Sequence, residues 1–394
     1  MNLTTLLEWK GQNKTDQELQ FLNIMYSMCS WKHTVDKVAK IDQEILFKVL
    51  KEHSTKCEET ILQIRWLGKI INDPCSIMQP FILLSQLCFS FNALPYYEMY
   101  KQTPYKLQNI LEIGSKWSES KIDWNLDKGY NNENSSRPLR INSSGLRNSV
   151  EFVLTQKESS KGCSRNSGFI AYFHNPSDVP DYSHTSFAFS KGTHSFVQFK
   201  TYLSVTDQTL ASWTPENRGC YFSDERPLML TKIYSKTNCY YECQINYTQN
   251  ICGCTPYYFI SDLLPVCGLR MEYCFVNASM LAEGTTDICK CLPPCTQYDY
   301  SISYSTVPKD FENAQHSLPF LNNYTDSNYA NFASIEIHTY HDNMWPLGRA
   351  VKETAIKRWG ELTAVISLCL GVSFITIIEF FYYAVLRPIV MNVL

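Results

Sequence analysis

Ten cysteines fall between Cys220 and Cys295, at positions 220, 239, 243, 252, 254, 267, 274, 289, 291 and 295. No other feature restricts the fold so tightly. Ten thiols pair in roughly 900 ways, and sequence alone does not choose among them. Spacing narrows part of the choice. Cys239 and Cys243 are four apart on a predicted helix, on one face and separated by ~6 Å of rise. Cys289 and Cys291 are two apart. If extended, they also share a face, about 6.6 Å apart. The match makes an antiparallel ladder of Cys239–Cys291 and Cys243–Cys289 geometrically easy, with Cys220–Cys295 closing outside it. Zinc is the rival use of these thiols, through Cys252-Gly-Cys254 and Cys289-Lys-Cys291. The usual C-x2-C spacing is absent, and no histidine lies between Cys220 and Cys295.

The chain has 394 residues and 16 cysteines in all. Reducing compartments rarely keep such clusters unless they bind metal. N-x-Ser/Thr sequons start at Asn2, Asn13, Asn134, Asn142, Asn246, Asn277 and Asn323. Thiols and sequons together point to the secretory pathway. A net charge of −3 offers no nucleic-acid surface, and 14 % aromatic residues argue against disorder.

From Leu362 to Leu386 the chain is apolar, with Glu379 its only charge. Some 25 residues at ~1.5 Å each reach about 37 Å, longer than a hydrocarbon core of about 30 Å. One transmembrane helix over 362–386 is expected, followed by a short tail at 387–394. The N-terminus has no basic region, apolar run or cleavage site of a signal peptide. Arg349, Lys352, Lys357 and Arg358 before the span, against Arg387 after it, favour a cytoplasmic N-terminal side. The cysteines favour the opposite. A large translocated domain overrides a few charges, so the expectation is a chain lacking an upstream targeting segment.

Outside the span the pattern predicts mixed α+β structure. Val38, Ile41, Ile45, Val49 and Leu50 predict helix over 34–72. Lys116–Ser149 reads as polar loop. Phe187–Thr206 alternates as a strand, and Glu225–Thr248 reads as a helix with Pro227 in its first turn. Tyr298, Tyr300, Ile302 and Tyr304 alternate, as do the residues around Ile335 and Ile337 in Phe332–Tyr340.

An ordered set of motifs runs from Cys57 to the C-terminus: CFSFN at Cys88–Asn92, HNPSDVP at His174–Pro180, and R-x-C at Arg218–Cys220. CYYEC at Cys239–Cys243, CGC at Cys252–Cys254 and CKCLPPC at Cys289–Cys295 follow. Gly371-Val372-Ser373 and a closing LRP at Leu386–Pro388 complete it. In these the chain resembles the degenerin/epithelial sodium channel superfamily, and most closely its insect pickpocket branch. The resemblance implies a plasma-membrane trimer, homomeric or heteromeric with related subunits. Its extracellular ectodomain (1–361) would comprise a helical finger mainly over 34–160, palm strands at about 165–206 and 297–340, and a cysteine-rich thumb over 220–295. It implies the bridges Cys220–Cys295, Cys239–Cys291, Cys243–Cys289, Cys252–Cys274 and Cys254–Cys267. Cys88 resembles a cysteine whose partner lies upstream, in a stretch with a first membrane helix and a His-Gly motif that the sequence does not show. Gln63-Ile64-Arg65 stands where a cysteine usually precedes Trp66, which leaves the partners of Cys57 and Cys75 open. Cys29 and Cys163 match no recognised position of the family, and Thr363-Ala364 stands where paired glycines often precede the filter.

The resemblance makes Gly371, Val372 and Ser373 the selectivity filter, where oxygens replace part of the hydration shell of a sodium ion. Read alone, the triplet is a small-residue helix contact. Glu361 matches an acidic position at the outer end, where three copies would ring the axis. Ser367 falls at the family's contact for amiloride-like blockers; its hydroxyl can also bond back within its helix. Glu379 matches an acid below the filter, and a carboxylate within a span faces water or a pore by default. His174 and the pair His338, His341 read as turn and strand residues without chemistry. No metal and no cofactor beyond the permeant sodium ion is expected. No H-E-x-x-H, G-x-S-x-G or phosphate-binding loop suggests an enzyme. A single-span receptor or adhesion protein shares the cysteines and anchor but needs neither the intramembrane acid nor the filter. A non-conducting subunit that modulates its relatives shares all of them.

Overall fold

The computed structural model describes residues 15–29, 36–83, 86–101, 124–125, 129–130, 138–141, 143–156, 168–181, 185–256, 265–284, 286–311, 331–352 and 355–393. The chain forms two compact units. One holds Met1–Val205 and Thr214–Leu347, the other Thr206–Trp213 and Gly348–Leu394.

The first unit is built on one large sheet with smaller hairpins and helices. Its strands are β1 Ile61–Trp66, β2 Lys69–Ile71, β3 Met78–Leu83, β4 Gln86–Phe91, β5 Val150–Thr155, β6 Phe169–Phe173, β7 Thr185–Phe189, β8 Thr193–Thr206, β9 Thr296–Pro308 and β10 Phe332–Thr339. The central sheet runs β9-β8-β10-β5-β1-β2. β8 and β10 are parallel, with His194 opposite Ser334, and β10 and β5 antiparallel, with Glu336 opposite Glu151. Ile64, Val153, Val197, Ala333 and Ile335 are buried in it. The hairpins β3–β4 and β6–β7 lay Phe89, Phe91, Phe187 and Phe189 against that apolar face.

Three readings of the sequence change here. The helix expected over 34–72 covers only Gln43–His53, capped by the Asp42 carboxylate on the Glu44 N–H at 2.8 Å, plus the single turn Cys57–Thr60. Beyond it, β1 and β2 form a hairpin. Leu67 and Gly68 both take positive φ (49° and 78°), as a type I′ turn requires. Part of the range expected as finger, 34–160, thus supplies strands β1, β2 and β5 to the central sheet. The helix expected from Glu225 starts instead at Lys236 and runs to Cys252, with Ser235 as its cap. Residues before it are held out of a helix because Glu242 accepts the Met229 and Leu230 N–H groups at 2.6 and 2.8 Å. Within Lys116–Ser149, expected as loop, Trp124–Asn125 and Gly129–Tyr130 pair as short strands; much of the rest lies outside the described residues.

The cysteine-rich segment packs Lys236–Cys252 against Glu272–Gly284. Its ten cysteines form Cys220–Cys295, Cys239–Cys291, Cys243–Cys289, Cys252–Cys274 and Cys254–Cys267, with Cα separations of 5.0–6.0 Å. With every sulfur of the cluster oxidised, no thiolate is left there for zinc. Cys57 and Cys75 bond to each other, which closes the question the sequence left open. Cys88 and Cys369 are unbonded. Burial pushes the Cys88 thiol up to about 11, which keeps it protonated at neutral pH. Cys163 and the side chain of Cys29 lie outside the described residues. So do the sequons at Asn2, Asn13, Asn134, Asn142 and Asn323; Asn246 and Asn277 are half-buried on the two thumb helices.

Two motifs gain a physical reason. The Arg218 side chain is fully buried. It donates to the Cys220 carbonyl at 3.0 Å, pairs with Glu225 and lies 4.5 Å from the Phe222 ring. The His174–Pro180 turn is tied to the thumb helix through buried Asn238. Asn238 accepts the Val179 N–H at 2.8 Å and donates to the Ser177 and Ile233 carbonyls, each at 3.0 Å. Each buried group left without a partner costs about 1–3 kcal/mol. Asn238→Ala is therefore expected to lower unfolding stability by about 3 kcal/mol or more, seen as a fall in the urea midpoint at an unchanged slope.

In the second unit, the Asp207 N–H donates to the Arg349 carbonyl at 2.8 Å and the Asp207 carboxylate accepts the Thr209 N–H at 2.8 Å. The expected single helix over 362–386 is two helices, Ala355–Leu370 and one that begins at Phe374 and continues to Val393. Phe374–Met391 is, among the described residues, the one stretch long and apolar enough to cross a membrane, with mean hydropathy 1.6. Tyr382–Leu386 widens to a π turn just before Arg387-Pro388. A proline has no N–H and its ring clashes with the carbonyl four residues back, so the ladder loosens there. Helix thus extends through the expected tail at 387–393.

Candidate pore site

The break between the two helices is Gly371-Val372-Ser373. The first helix closes on a Gly371 N–H to Ser367 carbonyl bond of 2.9 Å. Gly371 then turns left-handed at φ +64°, where a side chain is disfavoured. A Cβ there would meet nothing within 4 Å, so the demand for glycine is conformational and not steric. Ser367 donates its hydroxyl across the break to the Val372 carbonyl at 2.8 Å, instead of bonding back within its own helix. Ser373 caps the second helix. Its hydroxyl accepts the Thr376 N–H and the Thr376 hydroxyl accepts the Ser373 N–H, both at 3.3 Å. Side chains on both sides thereby hold the break open, with Gly371 left-handed and Ser373 extended. The negative end of one helix dipole and the positive end of the other meet there.

Glu361 is exposed on the first helix, 3.8 Å from the Lys357 ammonium one turn earlier. Glu379 is exposed on the second. Sequence reasoning missed its company: Thr376, Glu379 and Tyr383 recur at i, i+3 and i+7, and the Arg387 guanidinium lies 5.6 Å from the Tyr383 ring. This spacing puts a polar stripe on an otherwise apolar helix. The i, i+3, i+7 pattern was legible once Glu379 was taken as a member of a face.

A second group was also missed. His194, Glu336, Ser334, Ser149, Glu151, Arg65 and Lys309 line a cavity of about 470 Å³ or its walls on the central sheet. His194 Nδ1 is 2.6 Å from the Ser334 hydroxyl and Nε2 is 3.6 Å from Glu336. Ser149 donates to Glu336 at 2.7 Å. Arg65 and Lys309 stand 2.9 and 3.8 Å from Glu151. The members come from segments far apart in sequence, so no local pattern announces them. Burial first, then the Lys309 charge, holds His194 below its ordinary value, against the opposing pull of Glu151 and Glu336. The folded form therefore resists taking up this proton. Its contribution to stability is complete above the unfolded value of about 6.5 and is lost as pH falls through the folded value. The thermal midpoint is expected to fall between pH 7.5 and 5.5, and His194→Gln to shrink that fall. An equal fall in the variant would rule the histidine out. His174, read as a turn residue, bonds Ser90 at 2.7 Å; His338 is buried in β10, and His341 packs against Tyr340.

A disulfide-braced α+β body and an interrupted apolar helix with a polar stripe fit a membrane protein of the ion-channel kind. The chain belongs to the amiloride-sensitive sodium channel family, whose signature matches residues 2–383. This is a family of ion channels and not of enzymes. The chain is 27 % identical over 359 residues to Pickpocket protein 28 of Drosophila melanogaster, covering 86 % of this chain and 58 % of that protein. With Pickpocket protein 11 of the same fly it shares 24 % over 249 residues, 61 % and 46 % of the two chains. With human Acid-sensing ion channel 2 it shares 24 % over 220 residues, 55 % and 41 %. The chain spans about half the length of the curated relatives it matches.

Proposed function

We propose that this chain is a subunit of a trimeric, sodium-selective, amiloride-blockable channel of the plasma membrane, with the disulfide-bonded body outside the cell. The observation that carries this reading is the Gly371–Ser373 break, held open by Ser367 and Thr376 at mid-length of the apolar C-terminal segment. Three copies about an axis would present the triplet's carbonyl and hydroxyl oxygens to a partly dehydrated sodium ion. Glu361 would ring the outer entrance and concentrate cations. Ser367, one turn above the break, would meet the blocker. Glu379, within the polar stripe, would face the inner vestibule, since a carboxylate turned to lipid costs about 3 kcal/mol or more. The permeant sodium ion is the only small ligand this reading requires. The test is expression alone and with a related subunit, under voltage clamp. Inward sodium current blocked by amiloride, in either arm, supports the reading. Surface trimers that carry no current in both arms would favour a modulatory subunit, and a surface monomer would favour a single-span receptor.

A further inference from the structure

A large cavity of about 1530 Å³ opens between the central sheet and the two hairpins β3–β4 and β6–β7. Its walls are aromatic, with Phe81, Phe89, Phe91, Phe152, Phe169 and Phe173 among them. The rings are ordered against one another: Phe169 stacks on Phe189 at 5.4 Å, and Phe91 meets Phe152 edge-on at 5.4 Å. Some polar groups in the wall are already used, while the Ser54 hydroxyl and the Asn175 side-chain oxygen have no hydrogen-bond partner among the described residues. His174 bonds Ser90 through one ring nitrogen and lies 2.8 Å from the Asn175 carbonyl at the other. The Cys88 thiol is held protonated by burial and brings no charge. The lining cations Arg140 and Lys200 lie over tyrosine rings, 4.6 Å from Tyr130 and 4.9 Å from Tyr202. Among the described lining residues the one acid is Asp342, which already accepts the Ser144 N–H.

Ordinary ligand pockets measure about 300–1,000 Å³, so this one suits a long ligand better than a compact one. An apolar wall takes an alkyl chain. Among the described lining residues cations outnumber acids, a balance that takes an anionic head and disfavours a cationic one. We propose that this cavity binds a long-chain carboxylic acid, with the chain among the phenylalanines and the carboxylate at Arg140 and Lys200. The site is independent of the pore and of whether the pore conducts.

The test is photolabelling of the full chain in lipid nanodiscs with a palmitic acid analogue that carries a diazirine in its chain. Label is expected in peptides containing Gln86–Phe91 or Phe169–Phe173. Excess palmitic acid should compete it away, and methyl palmitate should compete at least tenfold less well. Ala171→Trp fills the cavity and should cut the label at least tenfold. Arg140→Gln with Lys200→Gln leaves the walls intact and should weaken competition by the acid about tenfold while leaving the ester unchanged; it keeps the test informative if the tryptophan variant misfolds. Label confined to Ala355–Val393 would reduce the interaction to bulk lipid and overturn the proposal. Equal competition by acid and ester would overturn the anionic head. Absence of label, with the cavity protected by another polypeptide segment or subunit, would overturn the ligand itself.

Discussion

Gly371→Val is expected to abolish amiloride-blockable sodium current while leaving the protein at the cell surface. The argument starts at φ +64°. A left-handed residue with a side chain costs about 1–2 kcal/mol, and a β-branched one more. The local alternative is to continue the helix, which needs no positive φ. Continuing it removes the Ser367 to Val372 bond and the reciprocal cap between Ser373 and Thr376. The open triplet then has no side chain to hold it, and its carbonyls turn back into helix hydrogen bonds. Gly371→Ala tests the size dependence. With nothing within 4 Å of the added methyl, only the backbone term remains, so a partial loss of current is expected. Voltage clamp with surface biotinylation reads both. Unchanged sodium current in the valine variant would remove the break from the permeation path.

The second large effect is expected from the outer bridge of the cysteine cluster. Cys220 and Cys295 are 75 residues apart and enclose the other four bonds of the cluster. A bridge closing a loop of this length stabilises by roughly 2–4 kcal/mol, on a mechanism still debated. The paired variant Cys220→Ser, Cys295→Ser also loosens the segment that buries Arg218, whose charge depends on Glu225 and the Cys220 carbonyl. A buried charge that loses its partner costs about 3–5 kcal/mol. The thermal midpoint should therefore fall by roughly 5–15 °C for a body of this size, with most of the protein retained before the cell surface. The paired variant Cys254→Ser, Cys267→Ser closes only 13 residues and should cost less. Equal midpoints for wild type and both variants would show that the bridges do not brace the body.

The parts of the fold written in local pattern were legible. β10 declares itself by alternation around Ile335 and Ile337, and β9 by its tyrosines. The pairing suggested by the spacings of Cys239/Cys243 and Cys289/Cys291 is present, but not through an extended dipeptide: Cys289 ends the helical turn Thr286–Cys289 and Lys290 is left-handed at φ 46°. β1 was misread as helix for a definite reason. Ile61 and Ile64 are three apart, which fits a helix and not a regular strand; a register shift between Ile61 and Gln63 lets both be buried, and the Leu67-Gly68 turn that decides the matter is set by backbone φ. The late start of the thumb helix was illegible because Glu242, thirteen residues downstream, captures the Met229 amide. The break at 371–373 was legible as a small triplet, but its conformation depends on three hydroxyls whose roles appear only in space. The His194 group was the least legible, since its bonded pairs His194–Ser334 and Ser149–Glu336 are 140 and 187 residues apart.

The central claim is that the Gly371–Ser373 triplet lines a sodium path. It is tested most directly by placing a single thiol in the triplet as Ser373→Cys, on a Cys369→Ser background, and applying cadmium during recording of amiloride-blockable current. Thiolates brought together on an axis bind this soft metal tightly. The account predicts that micromolar cadmium blocks the Ser373→Cys current and spares the Cys369→Ser background. Full sodium current through the Ser373→Cys channel in saturating cadmium, with the thiol shown to be present and reduced, would contradict it.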